Sequence, residues 1–192
     1  MQNLPLIAAA IILLLLLLVV AGRWIQAAVS TPRTLVILGL EATGKTRLFY
    51  LLQNQDAETI SSMAANTALA RLDGSEYIIV DLPRHINSSA FTSNCTHAVV
   101  MVDSTKSGVK ELVDVVMQVI NRDVPVLFVC TNQHSILAFR VPKIEQLIQA
   151  EVKLRSKLDA AEYAMDKFSY IGCGEINDVP PKLAKWLAMS IS

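Results

Sequence analysis

Hydrophobic positions at the start of the chain form one continuous block. Residues 4–21 contain no charged side chain, and residues 13–18 are six consecutive leucines. As an α-helix, this segment rises about 1.5 Å per residue, or roughly 27 Å in total, which is close to the hydrocarbon thickness of a bilayer. The pattern predicts a transmembrane helix over residues 4–22.

The residues on either side of this block argue against the alternative interpretation, a cleaved signal peptide. No Lys or Arg precedes the block, which is also longer than a typical signal-peptide core of about 7–15 residues. Arg23 and Arg33 are the only charged residues among the first 33, and both follow the block. The positive-inside rule then leaves the C-terminal portion in the cytosol. We therefore expect a retained anchor with a very short N-terminus, residues 1–3, and a juxtamembrane linker, residues 23–33.

Beyond residue 33, short apolar runs alternate with amphipathic segments. Continuous or alternating β-branched runs are typical of strands, and apolar residues at spacings of three and four are typical of helices. The order predicts an α/β domain over residues 34–192, with a mostly parallel six-stranded sheet and helices on both faces. The strands are expected at residues 34–38, 67–72, 77–82, 98–102, 125–130 and 168–173, and the helices at 45–53, 109–120, 142–158 and 181–189.

Two local patterns refine this prediction. Asp73-Gly74 separates the second and third strands and is a strong hairpin signal, which adds one antiparallel edge strand to the sheet. In the helix over 142–158, we expect an inward face that consists of Ile144, Leu147, Ile148 and Leu154.

The composition excludes some classes of protein. The chain is 53% hydrophobic and 18% charged with a net charge of zero, and its mean hydropathy is +0.43. These values exclude intrinsic disorder, and the lack of basic excess argues against a direct nucleic-acid partner. The three cysteines, Cys95, Cys130 and Cys173, lack metal-site spacing and are expected to be reduced and buried.

The segment between the first strand and the first helix carries the main chemical signal. Gly39-Leu40-Glu41-Ala42-Thr43-Gly44-Lys45-Thr46 matches the phosphate-binding pattern G-x-x-x-x-G-K-[ST] in full. Glycines let successive backbone N–H groups turn toward a phosphate, and the helix N-terminus adds positive potential. Lys45 is expected to reach the β- and γ-phosphates. The alternative, a chance glycine turn with a solvated lysine, is disfavoured by the strand-to-helix context.

Two oxygen-bearing side chains point to a magnesium ion beside this loop. The Thr46 hydroxyl is positioned by the motif to ligate Mg²⁺. Asp81 ends the third strand, in the sequence Ile78-Ile79-Val80-Asp81, where a carboxylate would hold the ion through its water shell. The alternative role for Asp81 is a strand-end carboxylate that caps a turn.

The residues that follow Asp81 carry a family resemblance. Asp81-Leu82-Pro83-Arg84-His85 resembles the D-x-P-G-H switch element of Ras-type small GTPases, in the variant of the signal recognition particle receptor beta family. The resemblance spans essentially the whole chain. It implies a P-loop small-GTPase fold, GTP and Mg²⁺ as cofactors, and a heterodimer with the receptor alpha subunit. It also implies a single-pass endoplasmic reticulum membrane protein with a lumenal N-terminus and a cytosolic G domain.

The base-reading element departs from the family pattern. In place of N-K-x-D the chain has Thr131-Asn132-Gln133-His134, which puts Thr131 at the Asn position and His134 at the Asp position. A second alignment puts Asn132 at the Asn position. Cys173 lies in the segment that replaces the family S-A-K element. The resemblance implies that these residues contact the nucleotide, and the alternative for His134 is a solvated loop residue.

The residues expected near the γ-phosphate also depart from the family pattern. Arg84 replaces the family glycine, either as a surface residue or as a guanidinium near phosphate. His85 occupies the position that orients the attacking water in related GTPases, so it is the candidate catalytic residue. The switch-one hydroxyl has three candidates, Thr59, Ser61 and Ser62, and the alignment puts Ala64 there. These departures predict GTP binding with slow or absent hydrolysis.

Three functions are compatible with these residues. The leading hypothesis is the GTP-binding subunit that tethers the receptor alpha subunit to the endoplasmic reticulum for co-translational targeting. The alternatives are a membrane-bound trafficking GTPase that hydrolyses GTP and a degenerate pseudo-GTPase scaffold. An anchored P-loop ATPase or kinase is disfavoured because the chain shows no lid and no arginine set for a substrate phosphate.

Overall fold

The computed structural model describes residues 32–55, 64–83, 94–106, 108–120, 124–155 and 165–190. Strands and helices alternate along these ranges. In chain order they are β1 (Arg33–Gly39), α1 (Lys45–Leu51), β2 (Asn66–Leu72), β3 (Ser75–Asp81), β4 (His97–Asp103), α2 (Val109–Ile120), β5 (Val126–Thr131), α3 (Val141–Arg155), β6 (Phe168–Gly172), a 3₁₀ turn (Ile176–Asp178) and α4 (Val179–Ser190).

The N-terminal segment forms a separate unit. The chain divides into Met1–Pro32 and Arg33–Ser192. The transmembrane helix predicted over residues 4–22 lies outside the described residues, as does nearly all of the linker. Within the described ranges, no helix has the length and apolar character needed to cross a membrane.

The six strands form one sheet in the order β2-β3-β1-β4-β5-β6. Neighbouring strands are parallel except β2 and β3, which form the predicted antiparallel hairpin at the edge. Asp73 and Gly74 close that hairpin with φ values of 47° and 76°. Both torsions are left-handed, which matches the right-handed twist of the paired strands. The carboxyl ends of the parallel strands therefore meet along one edge of the sheet.

Helices cover both faces of the sheet, as the alternation predicts. Residues of α2 and α3 pack on one face, around Val36, Val100 and Phe128. Residues of α1 and α4 pack on the other, around Ile37 and Leu127. Every residue of β4 and of β5 is buried. The central strands are thus apolar on both faces, which is why they appear in the sequence as continuous hydrophobic runs.

The inward face of α3 differs from the prediction, since Leu147 is only half-buried, Leu154 is exposed and Val152, which was not predicted, is buried. Leu154 was expected inside, but 79% of its surface is exposed. Ile144, Ile148 and Val152 are the buried residues of this helix. They repeat every four residues, so they share one stripe of the helix. Leu154 lies two residues past Val152, which turns it about 200° away from that stripe.

Candidate functional site

The phosphate-binding loop, Gly39–Thr46, lies between the carboxyl end of β1 and α1. Gly39 has a φ of 142° and Gly44 a φ of 89°. A Cβ atom on Gly39 would lie 2.6 Å from the backbone oxygen of Met101, and one on Gly44 would lie 2.1 Å from Cδ1 of Ile176. Both torsions favour glycine, and at Gly39 the rigid backbone also leaves no space for a side chain, whereas at Gly44 the nearest atom is the end of a flexible side chain. Glu41 and Ala42 form the exposed tip of the loop.

Two side chains of this loop converge on one carbonyl. The Lys45 ammonium donates a hydrogen bond of 2.7 Å to the Leu40 oxygen, and the Thr43 hydroxyl donates one of 2.8 Å to the same atom. Lys45 is only 8% exposed. Lysine is rarely buried unless it is paired, since removing its charge from water is costly. An ammonium held at this depth, directly after a glycine turn, is suited to an anionic ligand.

The end of β3 brings a carboxylate to the first turn of α1. The Thr46 hydroxyl donates a hydrogen bond of 2.8 Å to Oδ2 of Asp81, and the Asn66 amide donates one of 3.3 Å to the same oxygen. The register explains this meeting, because Asp81 pairs with Ile37 of β1 and with Asn66 of β2. Oδ1 of Asp81 is buried, and no hydrogen-bond partner for it exists among the described residues.

These oxygens fit a magnesium ion. A buried carboxylate oxygen without a donor is costly unless a cation or an ordered water satisfies it. Mg²⁺ prefers oxygen ligands and keeps several waters, so a hydroxyl, a carboxylate and phosphate oxygens are sufficient. Within the described ranges, no three His, Cys, Asp or Glu side chains gather as a self-sufficient metal site. A metal here would consequently depend on phosphate and water for its remaining ligands.

The residues after β5 are largely engaged with the protein itself. Thr131 is buried, and its hydroxyl donates to the Val102 oxygen at 3.2 Å. Asn132 has a φ of 59°, and its amide donates to Oδ1 of Asp103 at 3.0 Å. The side chains of Thr131 and Asn132 therefore hold the ends of β4 and β5 together, and contact of either with a nucleotide stays a prediction.

His134 differs from its neighbours because its ring is exposed. Its Nδ1 lies 3.0 Å from the Gly174 carbonyl oxygen. This contact joins the loop after β5 to the loop after β6. The ring is thus presented at the carboxyl edge of the sheet, the side of an open α/β sheet where ligands bind.

Cys173 is a buried residue of the loop after β6. Its N–H donates to the Cys130 oxygen at 2.9 Å, and its own carbonyl accepts from the Gln133 N–H at 3.1 Å. Burial raises the pKa of the Cys173 thiol, and the nearby Lys182 ammonium opposes that effect only in part. The structure thus packs Cys173 between these loops, and its contact with a nucleotide stays a prediction. None of the three cysteines forms a disulfide in the described part of the chain, and all three are buried, as predicted.

Comparison with known proteins now identifies the family. The family profile described as signal recognition particle receptor beta subunit matches residues 30–167. The chain belongs to this family. A comparison with curated protein sequences finds no significant match.

Solved structures agree with this assignment. The chain is similar to a structure described as the mammalian SRP receptor, with 25% identity and a TM-score of 0.65 over 80% of this chain and 99% of that chain. It is also similar to the receptor SRb-GTP/SRX complex from Chaetomium thermophilum, with 14% identity and a TM-score of 0.63 over 83% and 99%. The Arl6 small GTPase of Trypanosoma brucei, with the bound nucleotide analogue GppNp, matches with 17% identity and a TM-score of 0.62 over 83% and 96%. The fold is therefore a small-GTPase-like α/β fold.

Asp103 lies at the same edge of the sheet as Asp81, and the sequence pattern did not single it out. It is 8% exposed and ends β4, as Asp81 ends β3. Burial alone would raise its pKa, but hydrogen bonds from Asn132, Thr105 and Lys106 outweigh that effect and lower the pKa to about 2. The missed signal is its position, because any carboxylate at the carboxyl end of a parallel strand lies on the ligand side of the sheet.

Ile176 and Asn177 were also missed. Ile176 contacts Gly44, and Asn177 accepts a hydrogen bond of 3.3 Å from Arg47. The loop after β6 is thereby fixed against the first turn of α1. These residues sit in an irregular segment without periodicity, so hydrophobic patterning could not reveal them.

A small pocket lies between the phosphate-binding loop, the end of β4 and the start of α2. Leu40, Met101 and Leu112 are among the residues that line it, and the lining is almost wholly apolar. Thr43, Asp103 and Lys106 also line this pocket, so polar groups border it on the side of the loop and at the end of β4.

The remaining predicted site residues lie outside the described ranges. These are Arg84, His85 and the switch-one candidates Thr59, Ser61 and Ser62. Ala64 is described and is exposed, just before β2. The roles of these residues stay predictions.

Proposed function

We propose that the chain is the membrane-anchored, GTP-binding subunit of the signal recognition particle receptor, which tethers the alpha subunit to the endoplasmic reticulum. The observation that carries this proposal is the match of residues 30–167 to the beta-subunit family. The complete phosphate-binding loop of this chain supports it. The similar complex from Chaetomium thermophilum pairs an SRb-GTP subunit with SRX, which supports a heterodimer with an alpha-type partner.

The nucleotide part of the proposal assigns a role to each described group. Backbone N–H groups between Gly39 and Gly44 bind the phosphates, and Lys45 neutralises the β- and γ-phosphate charge. Thr46 and Asp81 would hold Mg²⁺, which would supply positive charge to the phosphates when it is bound. Support comes from the buried Lys45 ammonium, the Thr46–Asp81 hydrogen bond and the unsatisfied Oδ1 of Asp81.

The anchoring part rests on the sequence. Residues 1–3 form a short lumenal N-terminus, residues 4–22 span the membrane once, and residues 23–33 link the span to a cytosolic G domain over residues 34–192. Two N-glycosylation sequons, Asn87-Ser88-Ser89 and Asn94-Cys95-Thr96, give a direct test of this topology, because only lumenal asparagines are glycosylated. We expect Asn87 and Asn94 to be unmodified in cells. Glycosylation of either one would contradict the proposed orientation.

The catalytic part of the proposal is slow or absent hydrolysis. Arg84 in place of the family glycine and Ala64 at the switch-one position remove two groups that sense the γ-phosphate. Single-turnover hydrolysis of radiolabelled GTP tests this point. A rapid rate in the wild type that falls in a His85→Ala variant with intact binding would favour the trafficking GTPase instead.

The tethering claim is tested by co-purification of the alpha subunit with the full-length chain. The wild type is expected to retain the partner. Retention should weaken in Lys45→Met, because loss of the nucleotide would disturb the switch face, residues 61–66 and 83–89, through which the partner is expected to bind. Lys153→Met, a change at an exposed lysine of α3, is the matched control and should retain the partner. A wild-type chain that never retains an alpha subunit would contradict the proposal.

A further inference from the structure

The base-binding side of the nucleotide site differs chemically from its phosphate side. Asp81 and Thr46 lie on the β3 side of the phosphate-binding loop. On the other side lie the loops after β5 and β6, and Ile176 and Asn177 tie the second of these loops to α1. A nucleotide whose phosphates enter the loop and bind Mg²⁺ therefore extends its base over the loops after β5 and β6.

Most polar side chains after β5 are already committed to the protein. The Thr131 hydroxyl binds the Val102 oxygen, and the Asn132 amide binds Asp103. Nε2 of Gln133 donates to the Ser104 hydroxyl at 2.6 Å and to the Phe139 oxygen at 2.9 Å. His134 is the exposed member of the four, so it is the side chain that this loop offers to a base.

The contact between His134 and Gly174 limits what the ring can accept. A carbonyl oxygen cannot donate, so Nδ1, which lies 3.0 Å from it, carries the proton. In the neutral ring, Nε2 is then the single acceptor. A carboxylate at this position would offer two oxygens. Guanine presents two adjacent donors, the N1–H and the 2-amino group, and one acceptor can satisfy only one of them.

We propose that the nucleotide site binds guanine and hypoxanthine nucleotides with about equal affinity, because His134 provides one acceptor where guanine offers two donors. Hypoxanthine keeps the N1–H and the 6-oxo group of guanine and lacks only the 2-amino group. The inference rests on the proposed nucleotide-binding function and deepens it, since it defines the ligand as a 6-oxopurine nucleoside phosphate without selection for the 2-amino group.

The test is a displacement titration of the full-length chain in detergent with Mg²⁺ at pH 8, in which unlabelled GTP and ITP compete with a fluorescent GTP analogue. The wild-type dissociation constants for GTP and ITP are expected to agree within about threefold. His134→Asp supplies a second acceptor and should raise the preference for GTP to roughly tenfold or more, the range of a hydrogen bond to a charged group. His134→Asn is the matched control. It has the shape of Asp but only one acceptor, so it should show no preference.

The Asp178 carboxylate lies near His134 and is a second candidate acceptor for the guanine donors. Its presence defines the result that would overturn the inference. Oδ2 of Asp178 and Nδ1 of His134 lie 4.0 Å and 3.8 Å from the place where a Cβ on Gly174 would be. A wild-type preference for GTP of more than tenfold would overturn the proposal, and its loss in Asp178→Asn would assign the reading to Asp178. Lys45→Met distinguishes failure of this inference about the base from failure of the proposed nucleotide-binding function. Failure of the wild type to bind either nucleotide, or binding unchanged in Lys45→Met, would overturn the proposed function itself.

Discussion

The Thr46 hydroxyl donates a hydrogen bond of 2.8 Å to the Asp81 carboxylate, across a gap of 35 residues in the sequence. This bond joins the first turn of α1 to the end of β3. It leaves Oδ1 of Asp81 buried without a partner among the described residues. The loop from Gly39 to Thr46 and the Asp81 carboxylate therefore lie together at one edge of the sheet.

Replacement of the Thr46 hydroxyl is expected to weaken nucleotide binding only when Mg²⁺ is present. Thr46→Val keeps the shape but removes the ligand, so affinity with Mg²⁺ should fall roughly 10- to 150-fold, the range of a lost hydrogen bond to a charged group. Binding in EDTA should be unchanged. Titrations of wild type, Thr46→Val and the hydroxyl-keeping control Thr46→Ser measure this effect. Equal losses with and without Mg²⁺ would contradict the metal role of Thr46.

Alanine at Gly39 is expected to destabilise the domain more than alanine at Gly74. Both residues have positive φ, but a Cβ on Gly39 would meet the Met101 backbone oxygen at 2.6 Å, whereas one on Gly74 would meet nothing within 4 Å. Gly74→Ala should cost about 1 kcal/mol, the strain of a left-handed torsion, and Gly39→Ala about 2 kcal/mol more. Denaturant titrations of the two variants provide the measurement. Similar losses in both would show that the loop relaxes around the new methyl group.

Asp103 is expected to stabilise the fold through the hydrogen bonds that its carboxylate accepts. Its carboxylate binds the Asn132 amide, the Thr105 hydroxyl and the Lys106 ammonium. Asp103→Ala would leave these donors unpaired, at a cost of about 2–4 kcal/mol in unfolding free energy. The exposed pair of Arg71 and Glu76 gives the control, since Glu76→Gln should cost less than about 1 kcal/mol. A small effect at Asp103 would indicate that water replaces its partners.

His97 is buried at the opposite end of β4 from Asp103. It is 5% exposed, and its ring nitrogens lie 3.0 Å from the Thr96 hydroxyl and 3.1 Å from the Ser190 hydroxyl. The rings of Tyr77 and Trp186 meet it edge to face. This packing favours the neutral imidazole, because a charged ring would lose its hydration.

Burial, assisted by the positive charge of Arg33, lowers the pKa of His97 from 6.5 to about 4. The unfolded chain therefore takes up a proton at His97 before the folded chain does. Stability should be full above pH 6.5 and should fall as the pH drops toward 4, by at most about 3 kcal/mol from this residue. Unfolding free energies of wild type and His97→Gln across this range test the effect. Parallel pH profiles for the two proteins would contradict it.

The fold was predictable because its central strands are buried on both faces. β4 and β5 carry continuous apolar runs, and the Asp73-Gly74 turn identifies the hairpin without ambiguity. The error at Leu154 has the opposite cause. Its helix has several apolar residues off the buried stripe, so spacing alone could not decide which of them face the sheet.

The site was predictable only where its chemistry follows a fixed spacing. The loop from Gly39 to Thr46 and the strand-end Asp81 were found in this way. Ile176 and Asp178 were not, since their positions near Gly44 and His134 depend on how two loops pack across the sheet edge. The hydrogen bond from the Asn132 amide to Asp103 could likewise be found only from the structure.

The nucleotide content of the purified protein tests the central claim most directly. The full-length chain is extracted in detergent with Mg²⁺, denatured, and the released nucleotides are separated and quantified. We predict about one purine nucleotide per chain in the wild type and almost none in Lys45→Met, with Lys153→Met as the matched control that keeps it. A folded wild-type protein that releases no nucleotide and binds none when it is supplied would contradict the account.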